Sequence, residues 1–272
     1  MYAIVHHMKY FDAHCHVQFD MFDADREELF AQMAADEVGG IIVGVDKKSS
    51  ESAVAMVENR PDFYASVGLH PNDTPEEIFD EVAFRTLAGH PKVVSIGECG
   101  LDYFRPIDTS DEAKKKQRAV FAQHIALAAE VQKPLMIHAR PSKGTVDAYD
   151  DLIEMLESAK KEHGDNLTGN VHFFVGGVEE ARKLFALDFT TSYTAVLTFT
   201  HDYDEVVRAA PLTHLLSETD SPYIAPSSRR GKRNDPLAVI DVIGAIARIR
   251  GDEIEAVSEA LLANAHRVFR LA

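Results

Sequence analysis

The sequence predicts a single-domain (β/α)8 TIM barrel with its chemistry at the carboxyl ends of the strands. Three observations lead there. About eight short apolar runs alternate with helical stretches along 272 residues, the pattern of strand–helix units around a parallel sheet. No low-complexity linker or composition shift divides residues 1–272, so one barrel domain accounts for the length. Histidines and carboxylates recur where the apolar runs end, and that is the rim on which barrel enzymes build their sites.

Phe11-Asp12-Ala13-His14 reads as the first strand and runs into Cys15-His16. A helix follows. Asp25 and Glu28 have capping-box spacing, and Leu29, Phe30, Met33 and Ala34 recur at helical intervals. Gly39 and Gly40 are expected to stop it before a second strand, Ile41–Val45. A helix through Ser52–Glu58 and a third strand, Phe63–Val67, come next, and Pro75 suits a helix start. The fourth strand begins at Val93, and a long helix is expected over Asp111–Val131. Strands five to eight are Pro134–His138, Gly169–Phe173, Phe189–Tyr193 and Leu215–Asp220. Asp235-Pro236 opens a helix that Gly251 ends, and Asp252 with Glu255 repeats the capping spacing.

The stretch Val93–Tyr103 places Glu98 between Gly97 and Gly100. A carboxylate at the end of a buried strand is costly without a positive partner, and no Lys or Arg lies beside Glu98 in sequence. His14, His16, His138, His172 and Asp220 also fall at strand ends. Residues two apart in a strand share a side, so His14 and His16 face the mouth together while Cys15 turns away. Four imidazoles and two carboxylates gathered in one mouth suit divalent cations. Six ligands exceed the needs of one tetrahedral ion and fit two ions roughly 3.5–4 Å apart with a bridging carboxylate. Glu98, from the middle of the order, is the natural bridge. Asp220, the last, is the natural ligand and proton acceptor for the attacking water.

The net charge of −16, from 28 basic and 44 acidic residues, argues against global attraction to nucleic acid or anionic membrane. Cys15 and Cys99 read as reduced residues of a cytoplasmic protein. No run approaches a membrane span, and the amino-terminal MYAIVHHMKYF lacks the marks of a secretory signal. A Rossmann fingerprint, a P-loop, a His-Glu-x-x-His helix and a Gly-x-Ser-x-Gly elbow are all missing from the chain.

These residues also match a family pattern. Asp12–His16, Gly68–Pro71, Ile96–Tyr103, Ile137–Arg140, Glu218–Tyr223, Arg230–Asn234 and Asn264–Phe269 occur in family order over nearly the whole chain. On these motifs the chain resembles the TatD-like metal-dependent deoxyribonucleases of the amidohydrolase-like barrel superfamily. The resemblance implies that His14, His16, Glu98 and Asp220 hold one metal and that Glu98, His138 and His172 hold the second. It implies two divalent ions, with Mg2+ expected for DNA cleavage and Zn2+ or Mn2+ as alternatives. It also implies hydrolysis of DNA, commonly from the 3′ end, by a water activated at the two ions. The chain departs from the family after His172, where Phe173-Phe174-Val175-Gly176 replaces the usual Cys-Phe-Thr-Gly, and at Asp235, where Glu or Gln is usual.

A phosphodiester needs positive charge near the metals. Arg229-Arg230-Gly231-Lys232-Arg233 follows the eighth strand, Arg140 follows His138 by two, and Arg105 follows Glu98. Arg105, Arg140, Arg230 and Arg233 are therefore candidate substrate contacts. Tyr103 is a candidate base-stacking residue, and His70 a candidate phosphate contact or partner of a carboxylate. The overall charge predicts weak, salt-sensitive DNA affinity confined to this face. The leading reading is a monomeric, metal-dependent exonuclease of single-stranded DNA or 3′ ends, with no membrane partner. A second is a hydrolase on the same barrel that acts on a small phosphoester, lactone or amide. A third, a non-catalytic binding protein, would be signalled by a lost ligand, and none is lost.

Overall fold

The computed structural model describes residues 8–72, 78–106, 108–164 and 166–271. Pro75 and the first seven residues, on which two of the expectations above fall, lie outside that description. Eight parallel strands form one sheet in sequential order: β1 (Tyr10–Cys15), β2 (Val38–Val43), β3 (Phe63–Val67), β4 (Val93–Asp102), β5 (Leu135–Arg140), β6 (Gly169–His172), β7 (Phe189–Tyr193) and β8 (Leu215–Ser217). Past the end of β8 the chain bonds back to β1. Asp220 N donates to His14 O at 2.9 Å and His16 N to Ser221 O at 2.8 Å. The result is a nearly closed (β/α)8 TIM barrel.

The helices α1 (Arg26–Ala35), α2 (Lys47–Val57), α3 (Glu81–Ala88), α4 (Asp111–Val131), α5 (Asp147–His163), α6 (Val178–Ala186), α7 (Asp204–Ala209), α8 (Val239–Arg250) and α9 (Ile254–Phe269) complete the described elements. The α4 bounds agree with the sequence expectation, and Ser110 caps it by accepting from Ala113 N at 3.2 Å. No helix among the described residues is long and apolar enough to cross a membrane. Apolar residues on alternate strand positions fall into two clusters. The larger packs the strands against the helices. The smaller holds Phe11, Ala13, Ile41, Val43, Val94, Met136 and Leu216 with Ala265, Val268 and Phe269 of α9. It fills the barrel interior below the rim, and α9 closes that end.

Several boundaries depart from expectation for identifiable reasons. Gly39 and Gly40 lie inside β2 and do not stop α1. Their missing side chains matter for strand packing, since a Cβ on Gly40 would come within 2.8 Å of Asp12 O. The capping boxes expected at Asp25 and Asp252 do not form. Asp25 spends its carboxylate on Arg233, at 2.6 and 2.8 Å, and the residue before α9 is Glu253, without a side-chain cap. Pro236–Ala238 forms a 3-10 turn ahead of α8. α2 starts earlier than expected because Asp46 and Ser49 make a capping box there. β8 ends at Ser217, short of Asp220.

Two strands also change step. Asp12 pairs with Gly40 but Cys15 with Ile42, so three residues of β1 span two of β2. Ile96 pairs with Leu135 but Cys99 with Ile137, so three residues of β4 span two of β5. Such bulges re-aim side chains beside sites. In β1, Phe11 and Ala13 join the interior cluster, and the extra residue lets His14 face inward as well. Even spacing would have turned it toward the helices.

His124 of α4 is buried against Phe79, which stacks on Phe84. Its Nδ1 faces Val120 O at 2.9 Å and its Nε2 accepts from Leu69 N at 3.0 Å. Burial pushes its pKa down to about 4 from 6.5. Between those values the unfolded chain takes up a proton that the folded chain refuses, so stability present at neutral pH is lost as pH falls from 6.5 toward 4. The gap is worth roughly 3 kcal/mol. His124→Gln should flatten the pH dependence of urea unfolding by up to about that amount. Superimposable profiles for the two proteins would refute it.

Candidate metal centre

The rim of the barrel brings together six of the side chains singled out above. His14 is the last residue but one of β1, and His16 comes just past its end. Glu98 does not close its strand as expected: β4 runs on through Asp102, and Glu98 lies mid-strand beside the step where β4 gains a residue on β5. His138 lies two residues before the end of β5, His172 ends β6, and Asp220 follows β8. The four histidines and Glu98 are buried, and Asp220, with 13% of its side chain exposed, is the most open.

Glu98 sits at the centre and sorts its neighbours by oxygen. Oε1 faces His172 Nε2 at 2.8 Å, His138 Nδ1 at 3.0 Å and His70 Nε2 at 3.3 Å. Oε2 faces His14 Nε2 at 3.3 Å and His16 Nε2 at 3.8 Å. Asp220 Oδ1 completes the second set, 3.4 Å from His16 and 3.9 Å from His14. Gly97 and Gly100 let β4 come close enough to β5 for this. A Cβ at either would meet Met136 O or His138 O within 2.2 Å.

The donor set fits cations. Within each set two ring nitrogens face each other at 3.2 Å, His14 with His16 and His138 with His172. Ligand atoms about 2.1 Å from one ion lie roughly 3.0 to 3.4 Å apart, depending on geometry. Among the described residues, three trios could hold an ion, each with ligand atoms within 4.8 Å of one another: His14, His16 and Glu98; His14, His172 and Asp220; His70, Glu98 and His138. Far-side partners orient two rings, as is usual for metal-ligating histidines. His16 Nδ1 lies 2.7 Å from Val43 O, and His138 Nε2 lies 3.1 Å from Asp102 Oδ2.

Charge reinforces this arrangement. Burial pushes the Glu98 carboxyl up, but His172, His70, His14 and the His138 hydrogen bond outweigh it and hold the group well below the ordinary carboxylate range. Burial pushes His172 down, and Glu98 and Glu218 more than reverse it. For His14, burial and the neighbouring His172 win, and its pKa falls.

Sequence reasoning missed Asp102 and Glu218. Asp102 Oδ2 meets His138 while Oδ1 accepts from Phe104 N and Arg105 N, both at 2.9 Å. Glu218 Oε1 accepts from Phe173 N at 2.5 Å and lies 3.7 Å from His172 Nδ1, and Oε2 accepts from Ser192 at 2.6 Å. Both lie an even number of residues from a chosen ligand, Asp102 four past Glu98 and Glu218 two before Asp220. For Asp102, in the same strand as Glu98, same-face spacing was the available signal; Glu218 and Asp220 lie past the end of β8, where strand alternation gives none.

A cavity of about 230 Å³ opens over the cluster, lined in part by His70, Arg105, Arg140 and Tyr223. The other candidate substrate residues lie apart from its lining. Tyr103 is buried, donating to Asp151 at 2.7 Å with Lys114 over its ring. Arg230 stacks on Phe199 at 4.0 Å, and Arg233 is bound to Asp25. The departures from the family pattern have local roles. Phe173 lines the cavity, Val175 N donates to Tyr149 Oη at 2.9 Å, and Asp235 pairs with Arg229.

A parallel barrel with imidazoles and carboxylates converging at its rim belongs to the class of metal-dependent hydrolases. The particular family follows from comparison. A family model described as TatD related DNase matches residues 11–270, and the chain belongs to that family. It is 36% identical over 265 residues to an uncharacterized metal-dependent hydrolase, YabD, of Bacillus subtilis, covering 96% of this chain and 99% of that protein. It is 30% identical to the 3′-5′ ssDNA/RNA exonuclease TatD of Pectobacterium parmentieri, covering 96% of this chain and all of that one. The crystal structure of YjjV, a TatD homolog from Escherichia coli, shares the fold with a TM-score of 0.86 at 24% identity, covering 97% of this chain and 99% of that one.

Proposed function

We propose that this protein is a divalent-metal-dependent deoxyribonuclease that removes nucleotides from the 3′ end of DNA. The observation that carries the reading is the division of the imidazoles between the two oxygens of Glu98. A carboxylate shared in this way suits a bridge between two ions. His14, His16 and Asp220 would hold one, and His138 and His172 the other, with His70 beside the second; His172 is also within ligand range of His14 and Asp220, so the two sets adjoin. Divalent cations held by these residues would supply polarisation of the phosphoryl oxygen and a lowered pKa for the attacking water. Asp220, the most open of the set, takes that proton at its carboxylate as the water oxygen bonds to phosphorus. The bond from phosphorus to the 3′ oxygen of the penultimate nucleotide then breaks. Arg105 and Arg140 line the cavity and meet the non-bridging oxygens with charge-assisted hydrogen bonds. The exonuclease activity for which the Pectobacterium relative is named supports the substrate class.

The deciding experiment uses metal-stripped protein and end-labelled single- and double-stranded DNA, with Mg2+, Mn2+ or Zn2+ added back singly. Stepwise shortening of 5′-labelled strands, dependent on one of these ions, is expected. DNA left intact with every ion, alongside turnover of a lactone or amide, would move the assignment to a carbonyl hydrolase.

A further inference from the structure

The geometry points to Phe104 as the platform on which the terminal base of an unpaired DNA end stacks. This rests on the nuclease reading and deepens it. Phe104 is 48% exposed, an unusual place for a phenylalanine in a chain that buries most of its rings. It lies directly after Tyr103, whose own ring is buried and hydrogen-bonded to Asp151. The Arg140 guanidinium lies over the Phe104 ring, 4.8 Å from its centre. Arg140 lines the metal-site cavity, as does Arg105 on the other side of Phe104 in sequence, and Tyr223, 49% exposed, lines it too.

The ring is also tied to the metal cluster. One carboxylate, Asp102, accepts from Phe104 N and Arg105 N through Oδ1 and meets His138 through Oδ2. The backbone that carries the ring is therefore anchored to the same carboxylate that orients His138. Arg140 belongs to β5, two residues past His138, so its stem rises from the same rim. An aromatic face with a guanidinium on one side holds any base by stacking, without reading its edge. A base inside a duplex is already stacked and paired, so only an unpaired end can use the ring. Phe104 accordingly sets a preference for frayed or single-stranded 3′ ends.

The test pairs a protein change with a substrate change. Wild type, Phe104→Ala and Phe104→Trp are assayed on a single-stranded oligonucleotide and on the same strand with an abasic 3′-terminal nucleotide. The expected results are these: Phe104→Ala raises KM for the intact strand about tenfold or more, Phe104→Trp restores it, and the abasic end raises wild-type KM by a similar factor. Phe104→Ala on the abasic strand shows no further increase, because ring and base are partners. Unchanged KM in Phe104→Ala, or effects of the two changes that simply multiply, would overturn the platform while leaving the nuclease intact. Wild type that cleaves neither strand with any ion would remove the nuclease reading and the platform together.

Discussion

Asp220→Asn is expected to lose hydrolysis by on the order of 10²- to 10⁴-fold, the usual worth of a positioned general base, while the barrel stays folded. Asp220 follows β8 with its backbone in the left-handed region, at φ 50. Aspartate and asparagine both tolerate that conformation, so the exchange adds no backbone conflict. The amide N–H of residue 220 still donates to His14 O. What changes is the side chain's ability to take a proton. Burial pushes the Asp220 carboxyl up, but the hydrogen bond with His16 and the nearby His14 and His172 hold it below the ordinary range. The group is therefore ionised and ready to accept. An asparagine keeps one oxygen toward the ions but cannot serve as a base. Circular dichroism and thermal unfolding should match wild type while turnover collapses. Full activity in a folded Asp220→Asn protein would reject the role.

Glu98→Gln should have a still broader effect, because it removes the shared oxygen and not only a base. One carboxamide oxygen can serve one set of imidazoles, and the –NH2 then turns donors toward the other. Loss of partners further from an ion already costs about 10- to 100-fold in affinity, so activity should fall by more than roughly 100-fold. A second readout does not depend on turnover. A cation at about 100 times its Kd stabilises the folded state by about 2.7 kcal/mol. For a chain of this size that is roughly 5 °C in Tm. Wild type should show this rise on adding Zn2+ or Mn2+, and Glu98→Gln should show little of it, with metal content per chain reduced. An equal rise and equal content in both proteins would show that Glu98 is not the bridge.

The rim was legible in the chain because histidines and carboxylates recur at or near the carboxyl ends of the apolar runs, although Glu98 proves to be mid-strand and Asp220 lies past the end of β8. The long helix expected over Asp111–Val131 is α4, and the expected strand Phe189–Tyr193 is β7. The six rim residues converge because a parallel barrel brings every strand's carboxyl end to one face. What stayed hidden depends on contacts between distant parts of the chain. Arg233 looked free for substrate, yet its partner Asp25 lies 208 residues away. Tyr103 looked like the base-stacking ring. However, β4 ends at Asp102, and the next ring folds under Arg118 of α4 and Asp151 of α5. Asp102 and Glu218 are buried carboxylates that support rings instead of meeting substrate, and residue type alone does not separate those tasks.

The offbeat residue in β1 has a consequence for anyone who would rebuild this rim elsewhere. Along that strand the inward positions pass from odd numbers, Phe11 and Ala13, to even ones, His14 and His16. A metronomic strand on an idealised scaffold cannot host both the apolar filling and the imidazoles on one side. Transplanting the ligands without the syncopation would leave a barrel with the right letters and some of its rings lodged in the outer layer.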